Sequence, residues 1–244
     1  MCALVCMVFE HTFACAFARA CTCALHERIY MDTPNSEIIL RPFKDIDFDA
    51  VVNLCVRKWC SDIVGAFDRI VFGRVLSAGA LQRSTHTVVA EYHGNIVGVC
   101  MGGICRDKKI LHDSDWRRRF DDIMYRARAR AKIGGVKVEE RLFSRIRMFT
   151  TADVFITYGY ANADAEINLI IVDPDFSNQG IGTRLFDEMT EYFRSCGARG
   201  CFVIISAEAD KEFFEHKGMR CVKEKTGVSG DTGQNSMFLY ARRL

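Results

Sequence analysis

No stretch of this sequence reaches the roughly eighteen uncharged apolar residues that a membrane-spanning helix needs, so no transmembrane segment and no membrane partner are expected. Net charge is scarce too. The 33 Lys and Arg stand against 31 Asp and Glu, and the resulting +2 supplies no global attraction to nucleic acid or an anionic surface. No two cysteines show the C-x-x-C spacing of a zinc knuckle or redox pair, and no metal is expected. What is present is 244 residues, 49% apolar and 26% charged, the composition of one globular domain with an appendage. That excludes a disordered, collagenous or coiled-coil protein.

Cysteine itself is plentiful, at 12. Cys2, Cys6, Cys15, Cys21 and Cys23 crowd the N-terminus, and the rest are scattered through a chain too large to need disulfide staples. They read as free thiols used as small apolar residues in a reducing cytosol, and the protein as soluble and cytoplasmic. The apolar N-terminal segment lacks the basic start of a signal peptide, and Glu10 and His11 interrupt it. Met31 is followed by DTPNSEIILRPF, a polar start leading into a strand. Residues 1–30 are therefore expected to be an unstructured or misassigned extension, with the functional domain over 31–244.

Ile38 to Leu40 form a short apolar run that reaches Pro42, which fits the end of a strand. Asp45 and Asp47 then open an amphipathic helix whose buried face is Phe48, Val51, Val52, Cys55 and Trp59. A second helix is expected through Ala66, Phe67, Ile70 and Val71. In HTVVAEYHGNIVGVCMGGI two β-branched runs flank His93-Gly94-Asn95, which predicts a hairpin. Gly98, Gly102 and Gly103 within the second strand mark either a bulge or a close approach by a ligand or another backbone.

Residues 106–149 carry fourteen Lys or Arg against seven Asp or Glu, a local +7 that leaves −5 for the remainder. Trp116, Phe120, Ile123, Met124, Ala127 and Ala131 recur at helical spacing after a capping Ser114, and Gly134-Gly135 stops the run. A second helix is expected through Val138, Leu142, Ile146 and Phe149, making a hairpin with an apolar seam and a basic outer face. That face is a solvated surface, or it meets an anionic substrate, a phosphate-bearing cofactor or nucleic acid. Nucleic acid is not favoured, because Arg126, Arg128, Arg130 and Lys132 alternate with alanines rather than with aromatics that stack on bases.

Residues 165–206 carry the chemistry. A strand over Ile167 to Val172 runs into Asp173-Pro174, then the loop Gln179-Gly180-Ile181-Gly182, then a helix, then a strand over Cys201 to Ile205, which is a βαβ unit with parallel buried strands. Ile181, Leu185, Met189, Phe193 and Cys196 form the helix face packed on the sheet, and Gly197 stops it. The backbone N–H groups of residues 179 to 183 can converge on a phosphate at the helix N-terminus. On spacing alone the glycines serve a tight turn equally well. The pattern is neither a dinucleotide fingerprint nor a P-loop, since Leu185 fills the third glycine position and no Gly-Lys-Ser/Thr follows.

The run from Glu166 through DPDFSNQGIG to Leu185 resembles the acyl-CoA-binding signature of the GNAT N-acetyltransferase superfamily. ILRPFKDIDFDAVVNLC resembles its first strand and helix, VVAEYHGNIVGVCMGG its second and third strands, and FFEHKGMRCVKE the helix and glycine turn after its fifth strand. The resemblance covers about 37–105 and 165–244. It implies an α/β (α+β) fold, the acyl-CoA N-acyltransferase fold, with a mixed, mostly antiparallel splayed sheet flanked by helices. The helical hairpin, at about 106–164, would be an insert in that N-acetyltransferase domain.

The resemblance further implies acetyl-CoA as co-substrate and an acetyl group passed by direct attack to a primary amine on a small molecule or peptide. Backbone amides of Gln179, Gly180, Ile181, Gly182 and Thr183 would hold the pyrophosphate. Backbone groups near Ile171 and Val172 would pair with the pantetheine and polarise the thioester carbonyl. Glu166 matches a carboxylate that some members use as general base, though as a residue it reads equally as a solvated strand-end carboxylate. Two positions depart from the pattern: Ser177 stands where Gln or Arg is usual, and Phe214 where a tyrosine often protonates the departing thiolate. His216 and Tyr240 are the other candidates for that proton, with nothing in the sequence to orient them. Two further readings stay open, a catalytically weak acyl-CoA-binding or sensing module and a nucleic-acid or ribosome-associated protein acting through the basic hairpin. A homodimer is equally open.

Overall fold

Pro42 closes β1, Ile38–Pro42, which lies at an edge of the sheet where the missing N–H of proline disturbs no ladder. A computed structural model describes residues 37–61, 63, 65–134, 149–206, 209–225 and 236–244. The expected extension over 1–30 lies outside the described residues, as do Val138, Leu142 and Ile146 of the second hairpin helix. After a 3-10 turn at Asp45–Asp47 comes α1, Phe48–Trp59, with Val51, Val52, Leu54 and Cys55 buried. Next is α2, Ala66–Leu81, whose buried face differs from expectation: Phe67 is 65% exposed, and Phe72, Val75 and Leu76 are the core residues instead. Arg130 covers the Phe67 ring, which is how that aromatic tolerates the surface.

Strands β2, His86–Tyr92, and β3, Asn95–Arg106, are joined by the two residues His93 and Gly94, both at positive φ, the backbone that matches strand twist in a tight hairpin. The glycines of β3 are not its irregular points, because the bulges fall at Val97 in β3 and Asn168 in the neighbouring strand. A Cβ on Gly98 would sit 3.0 Å from Leu185 Cδ1, and one on Gly102 would sit 2.6 Å from Met189 and Phe193. Both are there so that a helix can lie close on the sheet.

The short β4, Lys109–Ile110, folds back on β3 and leads into α3, Ser114–Gly134. Its cap is Asp113 rather than Ser114: the Asp113 carboxylate accepts from the N–H groups of Asp115 and Trp116 at 3.0 and 2.8 Å. Trp116, Met124, Ala127 and Ala131 are buried as the spacing predicts, with Phe120 and Ile123 partly so. Helix α4 covers residues 149–158. Then follow β5, Ala165–Val172, α5, Ile181–Ser195, β6, Gly200–Ser206, α6, Lys211–His216, β7, Arg220–Lys225, and β8, Met237–Arg243.

The sheet runs β1-β2-β3-β5-β6-β8-β7, with β5 and β6 its parallel pair. One face packs under α1, α2 and α3 through Val89, Val99, Met101, Leu169 and Ile171. The other packs under α5 through Val88, Ala90, Cys100, Ile167 and Val203. Phe155 and Ile156 of α4 cover Phe202 and Leu239. This is the mixed α/β, mostly antiparallel open sheet flanked by helices that the resemblance implies. Cys55, Cys60, Cys100, Cys105 and Cys201 are buried as apolar filling.

Candidate active site

The parallel pair is short. Ala165, Glu166 and Ile167 pair with Cys201, Phe202 and Val203, and beyond Ile167 and Val203 the two strands part. The β5 residues from Leu169 to Val172 keep only their β3 partners, so one backbone edge of Ile171 and Val172 faces the opening between the strands. The bulge at Asn168 lies at the point of separation.

At the open end the chain turns from β5 into α5. Asp173 accepts from Asp175 N–H at 3.0 Å and starts a 3-10 turn at Pro174–Phe176. Arg57 from the last turn of α1 binds both Asp173 (2.5 Å) and Asp175 (2.7 Å), fixing this loop against the helix layer. Asn178 and Gly180 adopt left-handed backbone at φ 62 and 76, which reverses the chain and makes Gly180 the N-cap of α5. Residues 177 to 180 are exposed. Beneath them, a Cβ on Gly182 would lie 3.4 Å from the Phe213 ring, an ordinary contact distance. The first-turn N–H groups of a helix have no acceptor within it, and they carry the positive end of its dipole. The geometry of residues 179–183 therefore suits a phosphate.

Glu166 stands five residues before Ile171 on β5, about 16 Å away at strand rise, and is not beside the phosphate turn. Nor is it a solvated strand-end carboxylate: it is 4% exposed, and its Oε2 accepts from Arg83 Nη2 at 2.7 Å. Arg83, 2% exposed, also donates through Nη1 to Asp153 of α4 at 2.6 Å. Burial raises the Glu166 carboxyl above the ordinary glutamate range, and the Arg83 guanidinium works against that rise. Asn168 Nδ2 donates to Arg83 O at 3.0 Å and to Ser84 Oγ at 3.1 Å. Arg83 Nε and Asn168 Oδ1 are left buried without a partner among the described residues.

Over Arg83 lies a groove of about 230 Å³, walled by the Phe120 and Phe149 rings and flanked by Arg117, Asp121, Asp153 and His112. Sequence reasoning missed Arg83, Asp153 and His112. Gln82-Arg83-Ser84 reads as a polar connector, and His112 as one residue of a charged insert.

At the departures from the family pattern, Ser177 is exposed on the turn and Phe214 is buried in the core. The Tyr240 hydroxyl donates to Glu215 at 3.0 Å, and burial pushes it up to about 12. His216 is exposed at the end of α6. Among the described residues, no cluster of His, Cys, Asp and Glu could hold a metal ion, and no helix is long and apolar enough to cross a membrane.

A family model described as the acetyltransferase (GNAT) family matches residues 61–219. No curated protein matches by sequence. Among solved structures, an agmatine N-acetyltransferase in its apo form aligns with a TM-score of 0.51 at 15% identity, over 85% of this chain and 100% of its own. The Drosophila melanogaster polyamine N-acetyltransferase aligns at 0.50 and 15%, again over 85% and 100%. At that identity the likeness is one of fold. The matched span reaches from the end of α1 to the turn before β7, taking in the parted strands and the glycine turn, and the chain belongs to the GNAT acetyltransferase family.

Proposed function

We propose that the protein transfers an acetyl group from acetyl-CoA to a primary amine by direct attack. The observation that carries this is the opening between β5 and β6, with an exposed helix N-terminus at its mouth. On this reading the N–H groups of residues 179–183 hold the pyrophosphate, the pantetheine lies along the free edge of Ile171 and Val172, and the thioester points toward the Glu166 end of β5. The acceptor enters from the groove over Arg83, whose Asp121 and Asp153 carboxylates suit a cation.

The chemistry needs no covalent enzyme intermediate. Burial pushes the Cys105 thiol up to about 12 and Cys201 to about 11, so neither is a ready thiolate. The amine nitrogen attacks the carbonyl carbon, the N–C bond forms, and the C–S bond breaks. The nitrogen must lose one proton to become a nucleophile and a second as the amide forms. Glu166 is the base for the second, acting directly or through water as the bond forms. The CoA thiolate, whose conjugate thiol has a pKa near 8.5, leaves with little acid assistance, which makes Phe214 tolerable in place of tyrosine.

At 100 times its dissociation constant, acetyl-CoA should raise the melting temperature by about 5–10 °C, whereas NAD should not. Glu166→Gln should lower kcat by about 100-fold while that shift stays unchanged, and an unaltered kcat removes Glu166 from the mechanism. A thermal shift without thiol release for any amine would instead favour an acyl-CoA-binding module, the reading that Phe214 also suits.

A further inference from the structure

We propose that His112 takes the first proton, the one on the incoming ammonium, at the rim of the groove over Arg83. The inference rests on the acetyl-transfer reading above and assigns a residue of the insert to the reaction.

His112 lies between β4 and α3, and three hydrogen bonds to two carbonyls hold it and its neighbours. Leu111 N–H donates to Ile104 O at 3.0 Å, Asp113 N–H donates to Gln82 O at 2.9 Å, and His112 Nδ1 lies 3.2 Å from the same Gln82 oxygen. A carbonyl can only accept, so Nδ1 carries the hydrogen and the neutral ring presents its lone pair on Nε2. No hydrogen bond among the described residues uses Nε2.

Four charged groups line the groove with it: Arg83 after α2, Arg117 and Asp121 on α3, and Asp153 on α4. Burial, with Arg117 and Arg83, holds the imidazole below its ordinary value, against the opposing pull of the Gln82 carbonyl and Asp153. The ring is therefore neutral at pH 7 and free to accept. Glu166 differs on each count, since it lies beneath Arg83 and one of its oxygens is engaged there.

The ammonium N–H bond breaks, a bond from Nε2 to that hydrogen forms, and the electron pair stays on the amine nitrogen for attack. The imidazolium then gives its proton to water. An ammonium with a pKa near 10 does not yield easily to imidazole in water. The transfer is uphill, and it proceeds because the imidazolium empties to water and attack on the thioester consumes the free amine.

The test is His112→Gln, whose side-chain amide can still donate to the Gln82 carbonyl and keep the loop in place. With an amine that the parent acetylates, kcat/KM should fall about 10- to 100-fold. The part of the acid limb that follows the imidazole should disappear from its pH profile, and the acetyl-CoA thermal shift should match the parent's. Imidazole added to His112→Ala should restore part of the rate. Equal kcat/KM and the same acid limb in parent and His112→Gln would overturn the assignment while leaving the acetyl-transfer reading intact. A parent that neither binds acetyl-CoA nor releases thiol overturns both.

Discussion

The decisive residue pair is Arg83 and Glu166, because neither can leave the other without cost. A guanidinium and a carboxylate buried together are weak evidence for stability, yet removing one leaves an uncompensated charge in the core. Arg83→Met should destabilise the fold by about 3–5 kcal/mol in urea unfolding, because it leaves the Glu166 carboxylate buried without its counter-charge. The double variant Arg83→Met/Glu166→Leu should recover most of that loss and still fail to release thiol. A double variant as unstable as the single one would mean that the pair holds the fold rather than serving the site. Glu166 stands out in the sequence as the lone charge in a β-branched strand, but its partner does not. Arg83 is distant along the chain, and only the packing of the α2 terminus against β5 makes them neighbours.

At the scale of elements, the glycine turn and the face of α5 were legible because helix periodicity and chain reversal are local. For the β3 glycines the sequence left a bulge or a close approach open, and at Gly103 it is the close approach of another backbone. A Cβ on Gly103 would lie 2.0 Å from the Arg83 carbonyl oxygen, a backbone atom that cannot rotate away. Gly103→Ala should therefore cost about 2 kcal/mol or more in stability and displace the groove floor, lowering kcat even though it touches no substrate. Gly182→Ala meets only the edge of the Phe213 ring and should leave stability nearly unchanged while weakening the acetyl-CoA thermal shift. If the two variants behave alike, the phosphate turn has been placed wrongly. The basic insert shows the same limit of local reading. Its arginines look like a free surface, yet Arg119 reaches Asp45 at 2.7 Å and Arg130 reaches Asp68 at 2.7 Å, pinning α3 to the start of α1 and to α2.

For the whole molecule, acid stability is set in part by His86, which stacks on Tyr192 with ring centres 4.4 Å apart. Burial pushes its imidazole down to about 4, while the unfolded chain protonates near 6.5. The unfolded state thus gains a proton first, and stability present above pH 6.5 is lost as pH falls toward 4. The loss at pH 5 should reach up to about 2 kcal/mol, and His86→Phe should flatten the melting curve between pH 7 and 5. A parent whose melting temperature holds constant over that range would contradict the burial. The strands β1, β2, β3, β5 and β6, the helices α1, α3 and α5, the glycine turn and the family were legible in the sequence, because periodicity, capping and turn chemistry act over a few neighbouring residues. The fold alone shows which charges meet beneath the groove, why three glycines line β3, and that His112 lines that groove. Those facts depend on the approach of segments far apart in the chain, and no spacing in the sequence encodes that distance.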